Sequence, residues 1–149
     1  MSLKGQLYNE CLAQIRMRIV TIRDAIAAAR ESAANETKSS AGDKYETTRE
    51  MLQQDVDRNL AQLAAAQELE SVLQRIDPQR QTDIIVPGSL VCTSKADYYL
   101  AIPAGKITVD GKAYMAVSAA SPVGKLMAGK KAGDRFLLNG ETVHIVSVS

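Results

Sequence analysis

Two adjacent lysines, Lys130 and Lys131, stand between Gly129 and Gly133, with Asp134 directly after. Two ammonium groups on one short turn can grip an acidic surface. They can equally offset the negative end of a preceding helix, and residue types alone leave both readings open, as they leave Asp134 open as a plain turn residue. The rest of the chain offers little chemistry. His144 is the only histidine and falls on a predicted strand, so no nucleophile–base arrangement is visible. One imidazole with two distant cysteines, Cys11 and Cys92, is a poor ligand set for zinc. Those cysteines read as reduced thiols, and the chain as cytoplasmic.

The lysine pair must be positioned by its neighbours. Lys112 to Ser118 and Arg135 to Leu138 have the alternation and β-branching of strands. Between them Ser121-Pro122 opens a short helix and Gly129 closes it. Further strands are expected at Ser89–Ser94, Asp97–Ile102, Lys106–Val109 and Thr142–Ser147. Asp110-Gly111 and Asn139-Gly140 are two-residue hairpin turns. Residues 88–149 therefore read as a small antiparallel β domain with one short helix, and 79–87 as a linker.

Residues 1–78 have a different period. Leu3, Leu7, Cys11, Ile15, Ile19, Ile22 and Ile26 recur at steps of three or four, the spacing of one helix face. The small polar run Asn35 to Gly42 reads as a turn, with Ser40 and Asp43 as a capping box. A second stripe follows through Tyr45, Leu52, Val56, Leu60, Leu63, Ala66, Leu69, Leu73 and Ile76, and Asp77-Pro78 stops it. Each helix has roughly thirty-two residues, or about 50 Å. Neither can bury its stripe alone, so the two form an antiparallel coiled-coil hairpin with its tip near 35–42. The fold class is α+β.

Composition narrows the function. Hydrophobic residues make up 46% of the 149-residue chain, enough for a core, but aromatics only 4%, with one Phe and no Trp. A base-stacking platform is therefore not expected. The net charge of +1 argues against a whole-protein grip on nucleic acid. Residues 1–78 hold ten Lys/Arg and twelve Asp/Glu, and 79–149 hold eight and five, so the two parts could meet different surfaces of one partner. No apolar run is long enough to span a bilayer.

A long helical hairpin followed by this small domain resembles the Gre family of bacterial transcription elongation factors. The residues that carry the likeness are Ser121, Pro122, Leu126, Gly129, Lys130, Lys131, Gly133 and Asp134, then Gly140, Glu141, Ile145 and Val148. Gly88-Ser89-Leu90-Val91 looks like the strand that opens that family's C-terminal domain. The resemblance implies an FKBP-like C-terminal domain, core RNA polymerase as partner, and nucleic acid met only through the elongation complex. It makes Ser121, Pro122, Lys130, Lys131, Gly133 and Asp134 the polymerase-binding candidates. No membrane contact and no resident cofactor are expected, and the chain is expected to act as a monomer.

In that family the hairpin enters the polymerase's secondary channel, where tip acids help hold a Mg²⁺ beside the catalytic metal and orient water for cleavage of backtracked RNA. Carboxylate oxygens are suitable hard ligands, and two metals can stabilise attacking and leaving oxygens. Tyr45 with Arg49-Glu50 matches the family's pattern after the tip. In that register the family's two acids fall on Lys38 and Ala41. The acids this tip does offer are Glu36, Asp43 and Glu46, and Asp43 in a first helical turn also suits the helix dipole. Cleavage stimulation and simple channel obstruction both remain open. The chain is at most an accessory factor and not an enzyme itself. The alternative is a coiled-coil adaptor or chaperone-like module unrelated to transcription. A prolyl isomerase would need an aromatic pocket, for which Tyr98, Tyr99, Tyr114 and Phe136 are the available residues.

Overall fold

A computed structural model describes the backbone of residues 2–39 and 43–149, and the side chains of 2–35 and 46–149. The chain is α+β. Its elements are α1 Leu3–Ser39, α2 Asp43–Gln74, β1 Leu90–Thr93, β2 Asp97–Ala101, β3 Gly105–Val109, β4 Lys112–Ser118, α3 Pro122–Met127, β5 Arg135–Leu138 and β6 Glu141–Val148. It divides into two compact units, Ile15–Glu70 on one side and Met1–Gln14 with Ser71–Ser149 on the other.

In the first unit Arg16 meets Glu70 at 3.3 Å. Arg18 to Ile22 share a groove with Gln62 to Leu69, and Arg30 to Ala34 share another with Arg49 to Val56. Rising numbers on α1 thus meet falling numbers on α2, so the helices are antiparallel. α1 buries Ile15, Ile19, Ile22 and Ile26, as the spacing predicts. α1 also continues to Ser39, past the expected turn at Asn35, because no Pro or Gly intervenes to stop it. The expected capping box at Ser40 and Asp43 lies outside the described side chains, as does Tyr45.

The α2 stripe differs from expectation at one position. Leu60 is 40% exposed, while Asn59 is half-buried. The burial sequence Leu52, Val56, Asn59, Leu63, Ala66, Glu70, Leu73 alternates steps of four and three. That is the strict heptad of a two-helix seam, and it passes one residue short of Leu60.

The second unit is built on one six-stranded sheet of order β3-β4-β2-β1-β6-β5. All six expected strands form. Asp110 and Asn139 take positive φ of 51° before Gly111 and Gly140, the two-residue geometry that Asp-Gly and Asn-Gly favour. The sheet is mixed, where an antiparallel one was expected, because β2 and β4 pair in parallel. β3 lies outside β4 as its hairpin partner, so β4 returns alongside β2 in the same direction. Strand identity was legible locally; this pairing depends on which strand takes the edge.

Neighbouring residues in β2 face opposite ways, yet Tyr98 and Tyr99 are both buried. On Tyr98's side the core comprises Ile85, Val91, Leu100, Met127, Phe136, Val143 and Ile145. On the other side Leu90, Tyr99, Ile107, Tyr114 and Ala116 are buried. Here the start of α1 approaches: Cys11 and Tyr8 both act on the Tyr99 hydroxyl, and Gln6, Asn9 and Glu10 share a pocket with Thr108 to Asp110. Leu7, Cys11 and Leu73 are fully buried. Lys4 is also buried, where the sequence stripe pointed to Leu3. Position 4 lies three residues before Leu7, so the same helical step reaches it.

Leu73→Ala should cost about 2–5 kcal/mol, the range for a fully buried leucine, measured by urea unfolding. Leu60→Ala, one heptad position off the seam, should cost under about 1 kcal/mol.

Candidate functional site

The segment 121–134 folds as a tightly stitched unit. Ser121 is the N-cap of α3, with φ −67° and ψ 159°. Its hydroxyl accepts from the Gly124 amide at 3.0 Å and donates to the Ser118 carbonyl at 2.6 Å. Pro122 follows in the first turn, where a missing N–H costs nothing. Gly124 is required by space: a Cβ there would stand 2.1 Å from the Ser118 oxygen. Met127 is fully buried under the sheet.

After α3 the chain turns through Gly129 at φ 78°. The Gly129 amide donates to Ile85 O, and the Ile85 amide donates to Lys130 O. Ile84 bridges Lys131. Ile84 and Ile85 are thus hydrogen-bonded along this turn. Asp134 Oδ2 accepts from the Lys131 amide at 3.0 Å, and the Asp134 amide donates back to Lys131 O at 3.0 Å. Gly133, at φ 92°, donates to Ile145 O, and the Ile145 amide donates to Asp134 O.

Ser121, Pro122, Lys130, Lys131, Gly133 and Asp134 differ in what they do within this segment. Ser121, Gly133 and Asp134 hold the local backbone. Pro122 and Lys131 are exposed and Lys130 is half-buried. Neither lysine has an ion-pair partner among the described residues. Lys125 and Arg135, not singled out, are also exposed cations of this segment; their signal in the sequence was charge alone. The one acid here, Asp134, is bound to a backbone amide, so the segment presents four cationic side chains.

The tip acids are only partly described. The side chains of Glu36 and Asp43 lie outside the described residues. Glu46 is exposed on the first turns of α2. No group of three or more His, Cys, Asp or Glu converges among the described residues. A lone described carboxylate is no Mg²⁺ site.

The four aromatics considered for an isomerase pocket are all buried. Tyr98 and Phe136 belong to one face of the sheet, and Tyr99 and Tyr114 to the other, so they fill cores instead of lining one cleft. His144 is exposed and pairs in register with Arg135. Cys11 and Cys92 are free thiols, the first buried and the second half-buried. Burial pushes the Cys11 thiol up to about 12, with Glu10 adding to it. Burial likewise raises the Tyr99 hydroxyl, which has no hydrogen-bond partner among the described residues. A feature the sequence did not signal is an apolar groove of about 510 Å³ on the hairpin, lined by Met17, Thr21, Ile22, Ala65, Ala66 and Leu69 among others. No described helix is long and apolar enough to cross a membrane.

No protein-family model matches this chain, and no curated protein does. Among solved structures the chain is similar to the transcription factor Gfh1, with 19% identity, 92% of each chain covered and a TM-score of 0.36.

Two outcomes are expected. Gly124→Ala should destabilise the protein by more than about 2 kcal/mol, since a Cβ cannot be placed without moving Ser118 or α3, as read by thermal unfolding. At pH 8 a thiol reagent should label Cys92 in the native protein and Cys11 only after unfolding. Because the folded Cys11 pKa is raised, its contribution to stability is complete below pH 9. It should be lost as pH rises from 9 to about 12, where the unfolded thiol ionises first.

Proposed function

We propose that this chain binds core RNA polymerase as a regulator of transcription elongation, docking through the 121–134 segment and inserting its hairpin into the secondary channel. The observation that carries this reading is that segment's division of labour. Ser121, Gly124, Gly133 and Asp134 fix the backbone, and Lys130 and Lys131 are left without an ion-pair partner among the described residues. A rigid turn bearing unpaired cations suits an acidic protein surface, because little side-chain and backbone freedom is lost on docking. The antiparallel hairpin supports it too. Its own unit comprises Ile15–Ser39 on α1, a length of about 37 Å, narrow enough for a channel.

The function proposed at the tip is occupancy. The resemblance places Lys38 and Ala41 where the family has acids, and a lysine repels a divalent cation. A hairpin of this kind obstructs the channel and competes with other factors for it. Cleavage stimulation would require Glu36, Asp43 or Glu46 to serve instead. No resident cofactor is part of the proposal, and the acting species is a monomer. The alternative is an adaptor whose hairpin groove receives another protein, and the same experiment separates the two.

The purified protein should bind core polymerase of its own organism, and an authentic Gre factor should displace it. Reversing both charges, Lys130→Glu with Lys131→Glu, should weaken binding by at least about tenfold, and wild-type binding should weaken as salt rises. Absence of binding, with the competitor shown active, would favour the adaptor.

A further inference from the structure

β5 closes one side of the sheet, and no described strand lies beyond it. Which of its main-chain groups face outward is set by its hairpin. Leu138 and Glu141 flank the Asn139-Gly140 turn and face each other in register, so they form a hydrogen-bonded pair. Such pairs recur at every second residue of an antiparallel ladder, which makes Phe136 with Val143 the next one. The bond from the Ile145 amide to Asp134 O has the same parity. The amides and carbonyls of Phe136 and Leu138 therefore point at β6, and those of Arg135 and Leu137 point away from the sheet. Beyond the β6 ladder neither main chain has a partner among the described residues. Both residues are exposed, Leu137 by 65%.

The opposite edge differs. Val109 and Lys112 flank the Asp110-Gly111 turn, so by the same parity Lys106 and Thr108 point outward from β3. Thr108 shares a pocket with Gln6, Asn9 and Glu10, so α1 stands beside that edge.

An open edge admits any strand, and the surrounding side chains select which. Arg135 shares a face with Leu137, and Lys130 and Lys131 precede it. Against these cations, residues 130–138 carry only the acid Asp134. The acid of β6, Glu141, is paired with Lys95 at 3.1 Å. A second copy pairing β5 to β5 would set the same cations against one another, and like charges across a strand pair are destabilising. An acidic strand meets them favourably.

We propose that β5 is a docking edge for an extended acidic segment of a partner protein, which adds to the sheet beside it. The main chain of Arg135 and Leu137 supplies the donors and acceptors. The Arg135 guanidinium meets a carboxylate, and Leu137 meets an apolar side chain two residues along the segment. The edge belongs to the second unit alone and stands whether or not polymerase is the partner.

Hydrogen exchange of the full chain at pH 7, followed amide by amide with the blocked peptide Thr-Glu-Thr-Val-Thr-Glu-Thr, tests it. The Glu and Val side chains of this probe lie on one face of a strand. Binding should saturate, and exchange at the Arg135 and Leu137 amides should then slow by at least about tenfold. Lys106 and Thr108 in β3 should keep their rates. Lys in place of Glu, or N-methylation of the probe's amides, should weaken binding by at least about tenfold. Leu137→Pro removes an outward donor without touching the β6 ladder and should weaken binding similarly, with the Phe136 amide still protected. Where that variant loses Phe136 protection, β5 itself has gone and the N-methylated probe decides. Binding that never saturates, unchanged exchange at Arg135 and Leu137 under saturation, or equal binding of the N-methylated probe overturns the proposal. Equal binding of the Lys probe overturns the acidic partner. Protection of the same amides by raising protein concentration alone identifies a second copy and also overturns it.

Discussion

The burial of both Tyr98 and Tyr99 is the constraint from which most of this structure follows. Adjacent strand residues face opposite ways, so both rings can be buried only if the central strand is covered on both sides. One cover is supplied by Ile85 and Met127 of α3, which pack in one cluster with Phe136, Val143 and Ile145 from the sheet's own β5 and β6. The other involves the first residues of α1, and Leu7, Cys11 and Leu73 are fully buried in the same unit. The ends of the hairpin thus belong energetically with the sheet. A small sheet with few aromatics gains apolar burial from both faces in this way.

The same constraint explains why the 121–134 segment is so tightly held. Met127 must stay under the sheet, so α3 needs a fixed start and a fixed end. Ser121 supplies the first through paired hydrogen bonds, and Gly129 with Ile85 supplies the second. The turn beyond is then closed by Asp134 and anchored to β6. Backbone order of this kind is a by-product of covering the sheet. It leaves Lys130 and Lys131 on a rigid platform.

What the sequence disclosed was mainly local. Alternation located all six strands, Asp-Gly and Asn-Gly marked both hairpins, and Ser-Pro opened α3. The seam of the helices was legible to within one residue; Leu60 drew attention by its type, while the heptad ran through Asn59. Features set by distant partners were not legible. The parallel β2–β4 pairing depends on β3 taking the edge. The burial of Lys4 depends on a carbonyl seventy-six positions away. The pairing of Ile84 and Ile85 with the α3 turn depends on the distant partners Gly129, Lys130 and Lys131. For the candidate site, the residues were visible as a motif, but their separation into backbone holders and outward cations needed hydrogen-bond geometry. The tip acids Glu36 and Asp43 were visible only as types in a register.

Native-state hydrogen exchange tests the two-sided sheet most directly. If both faces form one cooperative unit, the amides of Leu7 and Cys11 should open with the same free energy and denaturant dependence as those of Tyr99 and Leu100. Ile22 and Ile26, in the other unit, should exchange through a separate opening. Exchange of Leu7 and Cys11 together with Ile22 and Ile26, while Tyr99 and Leu100 stay protected, would contradict the account.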